Sequence, residues 1–185
     1  MAIIQSYKNK HPRWGNNCLL CDNAAIVGDV VLGDDCSVWF NAVIRADVNY
    51  VRIGDRTNIQ DGACIHVSGG EGHTDIGNDV SIGHNATVHG CRILDGALIG
   101  MGATVLDGAV VGEGAIVAAG AVVLQHSQIG PHEIWAGVPA KFVKHTRPEQ
   151  AENYAKAYVG YKDEYLRETA AMPMKIENND LQSKK

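Results

Sequence analysis

Ile93-Leu94-Asp95-Gly96-Ala97-Leu98-Ile99-Gly100-Met101-Gly102-Ala103-Thr104-Val105-Leu106-Asp107-Gly108-Ala109-Val110-Val111 repeats itself every six residues. Ile93, Ile99, Val105 and Val111 hold one position of the repeat, and Ala97, Ala103, Ala109 and Ala115 stand four places after an aliphatic. A period of six fits neither the 3.6 of a helix nor the alternation of an exposed strand. It marks a parallel β-helix of hexapeptides. Outward from this stretch the same beat runs through Leu20, Ile26, Leu32, Val38 and Ile44, then Ile53, Ile59 and Ile65, then Ile76, Ile82 and Val88, and on through Val117 and Val123.

Each hexapeptide forms one flat side of a triangular prism, with its aliphatic residue inside and a small residue at the corner. Residues three hexads apart then stack at the strand spacing of roughly 4.8 Å. Seventeen such hexads make almost six coils. Solenoids of this architecture wind left-handed, against the usual crossover rule. The beat breaks between Ile44 and Ile53, between Ile65 and Ile76, and between Val88 and Ile93. Insertions in a solenoid become loops, often on the working face. The charge-poor run from Ile93 to Val123 reads as plain scaffold.

The expected organisation is a mainly β fold: a β-helix over 1–140, a C-terminal helix within 141–169 that packs on the prism, and a flexible tail over 170–185. Ile134 to Lys141 reads as a turn-rich exit, and Pro148 suits the first turn of the helix. Tyr154, Tyr158, Tyr161 and Tyr165 share one helical face. In 185 residues the formal charge of −5 argues against nucleic acid and against a membrane surface as partner. No apolar run is long enough to cross a bilayer and no signal-peptide pattern opens the chain, so a cytoplasmic protein is expected. Five cysteines fit a reducing compartment better than a disulfide framework. Cys18 and Cys21 form a C-x-x-C without a second pair, which reads as packing rather than as zinc or redox chemistry.

The prism gives three histidines addresses. His66 follows Ile65 and His89 follows Val88, three hexads apart, so the two imidazoles belong to one column about 5 Å apart. Both could reach one metal at about 2.0–2.1 Å. His84 lies on the preceding side and could join them only from a neighbouring copy. Three prisms about a threefold axis would close such contacts into a homotrimer. Arg45 shares the column of His66 and His89, and Asp61 shares that of His84, so the pair should meet across the interface. His11, His126, His132 and His145 read as solvated surface residues.

At Arg45-Ala46-Asp47, Arg56 to Gly62, Ile65-His66 and Ile82 to Cys91 the chain resembles the gamma-class carbonic anhydrases, from about residue 8 to 168. The resemblance implies a trimeric left-handed β-helix and a metal held by His66, His84 and His89, with His84 from the adjacent subunit. Zinc is expected, with iron, cobalt or nickel as alternatives. It further implies site roles for Gln60, Asp47, Asn58 and, from the C-terminal helix, Tyr158, and an Arg45–Asp61 interface pair. The implied reaction is reversible hydration of carbon dioxide to bicarbonate, using water activated by the metal. Two departures stand out. The loop after His66 is short, leaving only Glu71 and His73 as proton carriers, and Val48 stands where active members have a carboxylate. Two other readings stay open: a non-catalytic metal-binding trimer, and a hexapeptide acyltransferase with His84 or His89 as base.

Overall fold

The structure, a computed structural model, describes residues 1–147 and 149–171. Pro148 and the expected tail beyond Ala171 lie outside the described residues. Among the described residues nineteen strands wind into a parallel β-solenoid of about 7 turns, a twentieth returns antiparallel, and one helix follows.

The aliphatic positions fix the winding. On the first side Ile26, Ile44, Ile65, Val88 and Val105 stack in register, each fully buried. On the second, Leu32, Ile53, Ile76, Ile93, Val111 and Ile129 do the same. The third runs from Leu20 through Val38, Ile59, Ile82, Ile99 and Val117 to Trp135. The prism is longer than the hexads indicate. Ile3–Gln5 and Arg13–Trp14 add rungs below, and Gln128–Ile129 and Glu133–Ala136 add rungs above. The six-residue spacing itself continues through Trp14 at one end and Ile129 and Trp135 at the other, with tryptophan in place of the aliphatic at two of these positions.

The corners explain the small residues. On one corner each backbone N–H is received by a side chain one coil on: Asn16 by Asp34 (2.6 Å), Asp34 by Asp55 (2.9 Å), Asp55 by Asn78 (2.8 Å) and Asn78 by Asp95 (2.8 Å). This polar ladder needs the glycine before each rung. A Cβ on Gly33 would lie 2.1 Å from Asp55 Oδ1. Two residues further along the same turns, the Cys18 and Cys36 thiols donate to the carbonyls of Gly33 and Gly54, and the Thr57 hydroxyl donates to that of Gly77. All five cysteines are free, with Cys21, Cys36 and Cys91 buried.

The C-terminal segment differs from expectation in one part. Lys141–His145, assigned with the helix by sequence, forms a strand antiparallel to Glu133–Ala136, so the exit is a hairpin that caps the prism. The helix, α1, spans Glu152–Ala171 and lies on the third side. Trp39 receives Tyr158 and Tyr165 edge-on, with ring centroids 5.5 and 5.0 Å away. Tyr154 and Tyr161 are half exposed. Lys162 is fully buried under α1. Its ammonium donates to the Asn17 carbonyl (3.1 Å), to Asp35 (3.1 Å) and to Asp163 (2.6 Å), tying the helix to the first two coils. No described helix is long and apolar enough to cross a membrane.

The stacked core is the main source of stability. Ile99→Ala, at a fully buried position, should cost about 2–5 kcal/mol in urea unfolding, because the rigid coils above and below cannot close the cavity.

Candidate metal centre

Two half-sites lie on adjacent sides of the prism. The first is built on the strands Cys64–His66 and Thr87–His89, which pair in parallel with His66 directly beside His89. His66 Nδ1 stands 3.0 Å from His89 Nε2, with ring centroids 5.0 Å apart. The outer nitrogen of each ring meets a carboxylate. His66 Nε2 is 3.1 Å from Asp47 Oδ1, and His89 Nδ1 bonds Asp107 Oδ1. Asp47 in turn bonds Arg45, its neighbour on the long strand Val43–Ile53, and Asp107 accepts from the Ser68 hydroxyl at 2.7 Å.

The second half-site surrounds His84, just past the strand Ser81–Ile82. Its Nδ1 is 2.8 Å from Asp61 Oδ2, and its Nε2 is 3.4 Å from the Tyr158 hydroxyl on α1. Its backbone N–H donates to Gln60 Oε1 at 3.2 Å. The Gln60 amide nitrogen donates to Asn58 Oδ1 at 3.0 Å, and Asn58 donates to Ser81 at 2.8 Å. Asn58 and Gln60 are both buried, so their amides are fixed in orientation. Gln60, His84, Met101, Tyr154, Tyr158 and Tyr161 line a cleft of about 410 Å³ between prism and helix.

All nine expected site residues thus fall into one of the two groups. Arg45, Asp47, His66 and His89 form one; Asn58, Gln60, Asp61, His84 and Tyr158 form the other. Within one chain Arg45 bonds Asp47 and Asp61 bonds His84. Among the described residues no three His, Cys, Asp or Glu side chains converge on one point inside a single chain. Asp107 is the residue that sequence reasoning missed. It lies in the run taken as scaffold, and its only signal is an acid at a corner held by Gly28, Ala46 and Gly90 in other coils. The two expected proton carriers differ in placement. His73 stacks on Tyr50 with ring centroids 4.8 Å apart and its Nε2 is 3.2 Å from Asp75, whereas Glu71 is exposed on the loop. Val48 is exposed.

The carboxylates behind the two imidazoles are held in their anionic form. Burial raises the carboxyls of Asp47 and Asp107. Hydrogen bonds outweigh it, from His66 and Arg45 to Asp47 and from His89 and Ser68 to Asp107, and hold both below the ordinary range. Burial, with the nearby charge of Asp61, raises the Tyr158 hydroxyl. An anionic carboxylate takes the N–H of the ring it faces, so His66 keeps its proton on Nε2 and His89 on Nδ1. The nitrogens facing each other at 3.0 Å then carry one lone pair apiece. Two lone pairs at that distance repel unless a proton or a cation lies between them. Carboxylates behind imidazoles are also the usual outer support of metal-bound histidine. The donor set therefore fits a borderline cation such as zinc, short of its further ligands.

Known proteins resemble this chain in sequence and in fold. Residues 15–46, 73–106 and 90–125 match the bacterial transferase hexapeptide repeat. A Methanocaldococcus jannaschii protein named "Probable carbonic anhydrase" is 51% identical over 145 residues, covering 78% of this chain and 91% of that protein. The chain belongs to the gamma carbonic anhydrase family. Gamma carbonic anhydrase 3 of Arabidopsis thaliana mitochondria is 45% identical over 158 residues, covering 83% of this chain and 61% of that longer protein. Among solved structures, a hexapeptide transferase family protein from Anaplasma phagocytophilum superposes with a TM-score of 0.84 at 34% identity, covering 88% of this chain and 98% of that one.

The depressed carboxyl of Asp47 has a consequence for stability. Its contribution is present above the unfolded pKa of about 3.9 and is lost as pH falls through the lower folded value. Urea unfolding of the metal-free protein should therefore show a steeper loss below about pH 4 for the wild type than for Asp47→Asn. Equal slopes would show that the pair with His66 does not hold in solution.

Proposed function

We propose that this protein is a carbon dioxide hydratase whose sites form between the subunits of a homotrimer. His66 and His89 of one copy and His84 of the next would hold a divalent cation, with zinc the first choice and iron, cobalt or nickel as alternatives. The observation that carries this reading is the His66–His89 pair: two inward lone pairs 3.0 Å apart, each ring backed by a carboxylate. His84 is built alike, with Nδ1 on Asp61 and Nε2 outward. When bound, the cation lowers the pKa of a water to about 7 and so supplies a nucleophile near neutral pH.

The chain's own residues supply the rest. Asp47 and Asp107 receive the outer N–H of His66 and His89, Asp61 lies 2.8 Å from His84 Nδ1, and the three carboxylates would orient the rings with a lone pair toward the cation. Gln60 uses one amide hydrogen on Asn58 and offers the other to a substrate oxygen. Tyr158 releases His84 Nε2 on assembly and lies at the rim of the cleft. Arg45 and Asp61 each keep donor or acceptor capacity for a contact across the interface. Water-filled surroundings would carry protons away, with Glu71 the freer of the two candidates because His73 is held by Tyr50 and Asp75.

That restraint on His73, with Val48 in place of a carboxylate, supports a second reading in which the trimer binds metal but turns over slowly or not at all. The hexapeptide acyltransferase reading draws support from the repeat alone, which is shared architecture; acyl transfer has no use for a carboxylate-backed histidine pair.

Purified protein should run in solution at about three times the 19.8 kDa of one chain and contain one cation per chain. His89→Ala should lose both the cation and carbon dioxide hydration. Gln60→Leu should keep cation and trimer while kcat/KM falls by about 10²-fold. Hydration at background with zinc, cobalt and anaerobic ferrous iron alike would sink the hydratase and leave the non-catalytic trimer.

A further inference from the structure

We propose that Asp107 is the positioning residue of His89, and that through Ser68 it couples the orientation of that imidazole to both loops that interrupt the repeat. The inference rests on the reading of His66 and His89 as metal ligands and deepens it.

Three observations converge on Asp107. Its Oδ1 takes the N–H of His89 Nδ1. Its Oδ2 accepts from Ser68 Oγ at 2.7 Å, so neither oxygen can leave one partner without disturbing the other. The third is the space it occupies. Val88 pairs with Val105, which puts Asp107 one coil beyond Gly90. A Cβ on Gly90 would stand 2.6 Å from Asp107 Oδ1, and Gly90 has a φ of +54°. Any side chain at residue 90 would displace the carboxylate from His89.

Ser68 is itself fixed. Its backbone N–H donates to the Gly72 carbonyl at 2.8 Å, closing the loop after His66. Its carbonyl accepts from Asn49 Nδ2 at 3.1 Å, and the same amide reaches the Gly70 carbonyl at 2.9 Å. Asn49 belongs to the first insertion, between Ile44 and Ile53. The path His89–Asp107–Ser68–Asn49 therefore joins both insertions to one ring. A neutral imidazole has two tautomers, and only the one with hydrogen on Nδ1 presents Nε2 to a metal. Asp107 selects that tautomer. Ser68 holds Asp107 in the rotamer that does so.

The test uses the full chain and two readouts. In the metal-free protein, ¹⁵N NMR of the rings should find His89 protonated on Nδ1, and Asp107→Ala should convert it to a mixture with the Nε2–H form. Zinc-loaded Asp107→Ala should surrender its metal to a competing chelator about 10–100-fold more readily than wild type, with the trimer mass unchanged. Asp107→Asn keeps a neutral acceptor and should fall between the two; Ser68→Ala should show a smaller shift in the same direction. A role confined to packing would lower thermal stability and leave the tautomer alone. Unchanged tautomer and unchanged zinc retention in Asp107→Ala would overturn the inference. Should that variant fail to fold, the same two readouts on Asp107→Asn decide it. If wild-type protein takes up no zinc, cobalt or iron, the reading of the histidines as ligands falls, and the His89 tautomer still decides whether Asp107 positions the ring.

Discussion

Burial of one aliphatic side chain per prism side governs everything else in this protein. Ile26, Ile44, Ile59, Ile65, Ile82, Val88, Ile99 and Val105 are all without solvent contact, each directly over its counterpart in the next coil. Sliding a coil by one residue would turn this entire set outward. The register is therefore rigid, and a residue's place in the hexad decides what it can touch. His66 lies beside His89 because Ile65 lies beside Val88. The chemistry of the pair is a by-product of core packing.

The same rigidity divides the site. His84 is two residues past its core aliphatic on one side of the prism, while His66 and His89 are one residue past theirs on the next. A solenoid corner cannot fold back to unite them, since its backbone bonds are committed to the coils above and below. Each half is nonetheless fully supported by its own chain. Asp47, Asp61 and Asp107 stand behind the three imidazoles, Gln60 is locked by the His84 amide and Asn58, and α1 is fastened by Lys162 and Trp39 so that Tyr158 meets His84. In the proposed trimer, halves prepared in this way would need little rearrangement to work together.

The breaks in the repeat are where the scaffold takes on work. The insertion after Ile44 carries Asp47 and Asn49; the loop after Ile65 carries Ser68; Gly90 sits at the short step before Ile93. Their hydrogen bonds meet around the histidine pair. In regular hexads Asp34, Asp55, Asn78 and Asp95 accept backbone N–H groups of the coil ladder. Asp107 escapes this rule. It resembles those ladder acids in sequence, yet its corner faces His89 and its partners are side chains.

The six-residue beat by itself determined the prism, the inward set, the shared column of His66 and His89 and the separation of His84, because stacking distance follows from counting residues. Tyrosine spacing likewise announced α1. Only the tertiary structure decided which side α1 covers, that Lys141–His145 returns as a strand, that Lys162 is buried as the anchor, and that Asp107 rather than a loop residue backs His89. Those outcomes depend on side chains meeting across coils and on space left by Gly90, and neither rotamer nor free volume is written in a one-dimensional period.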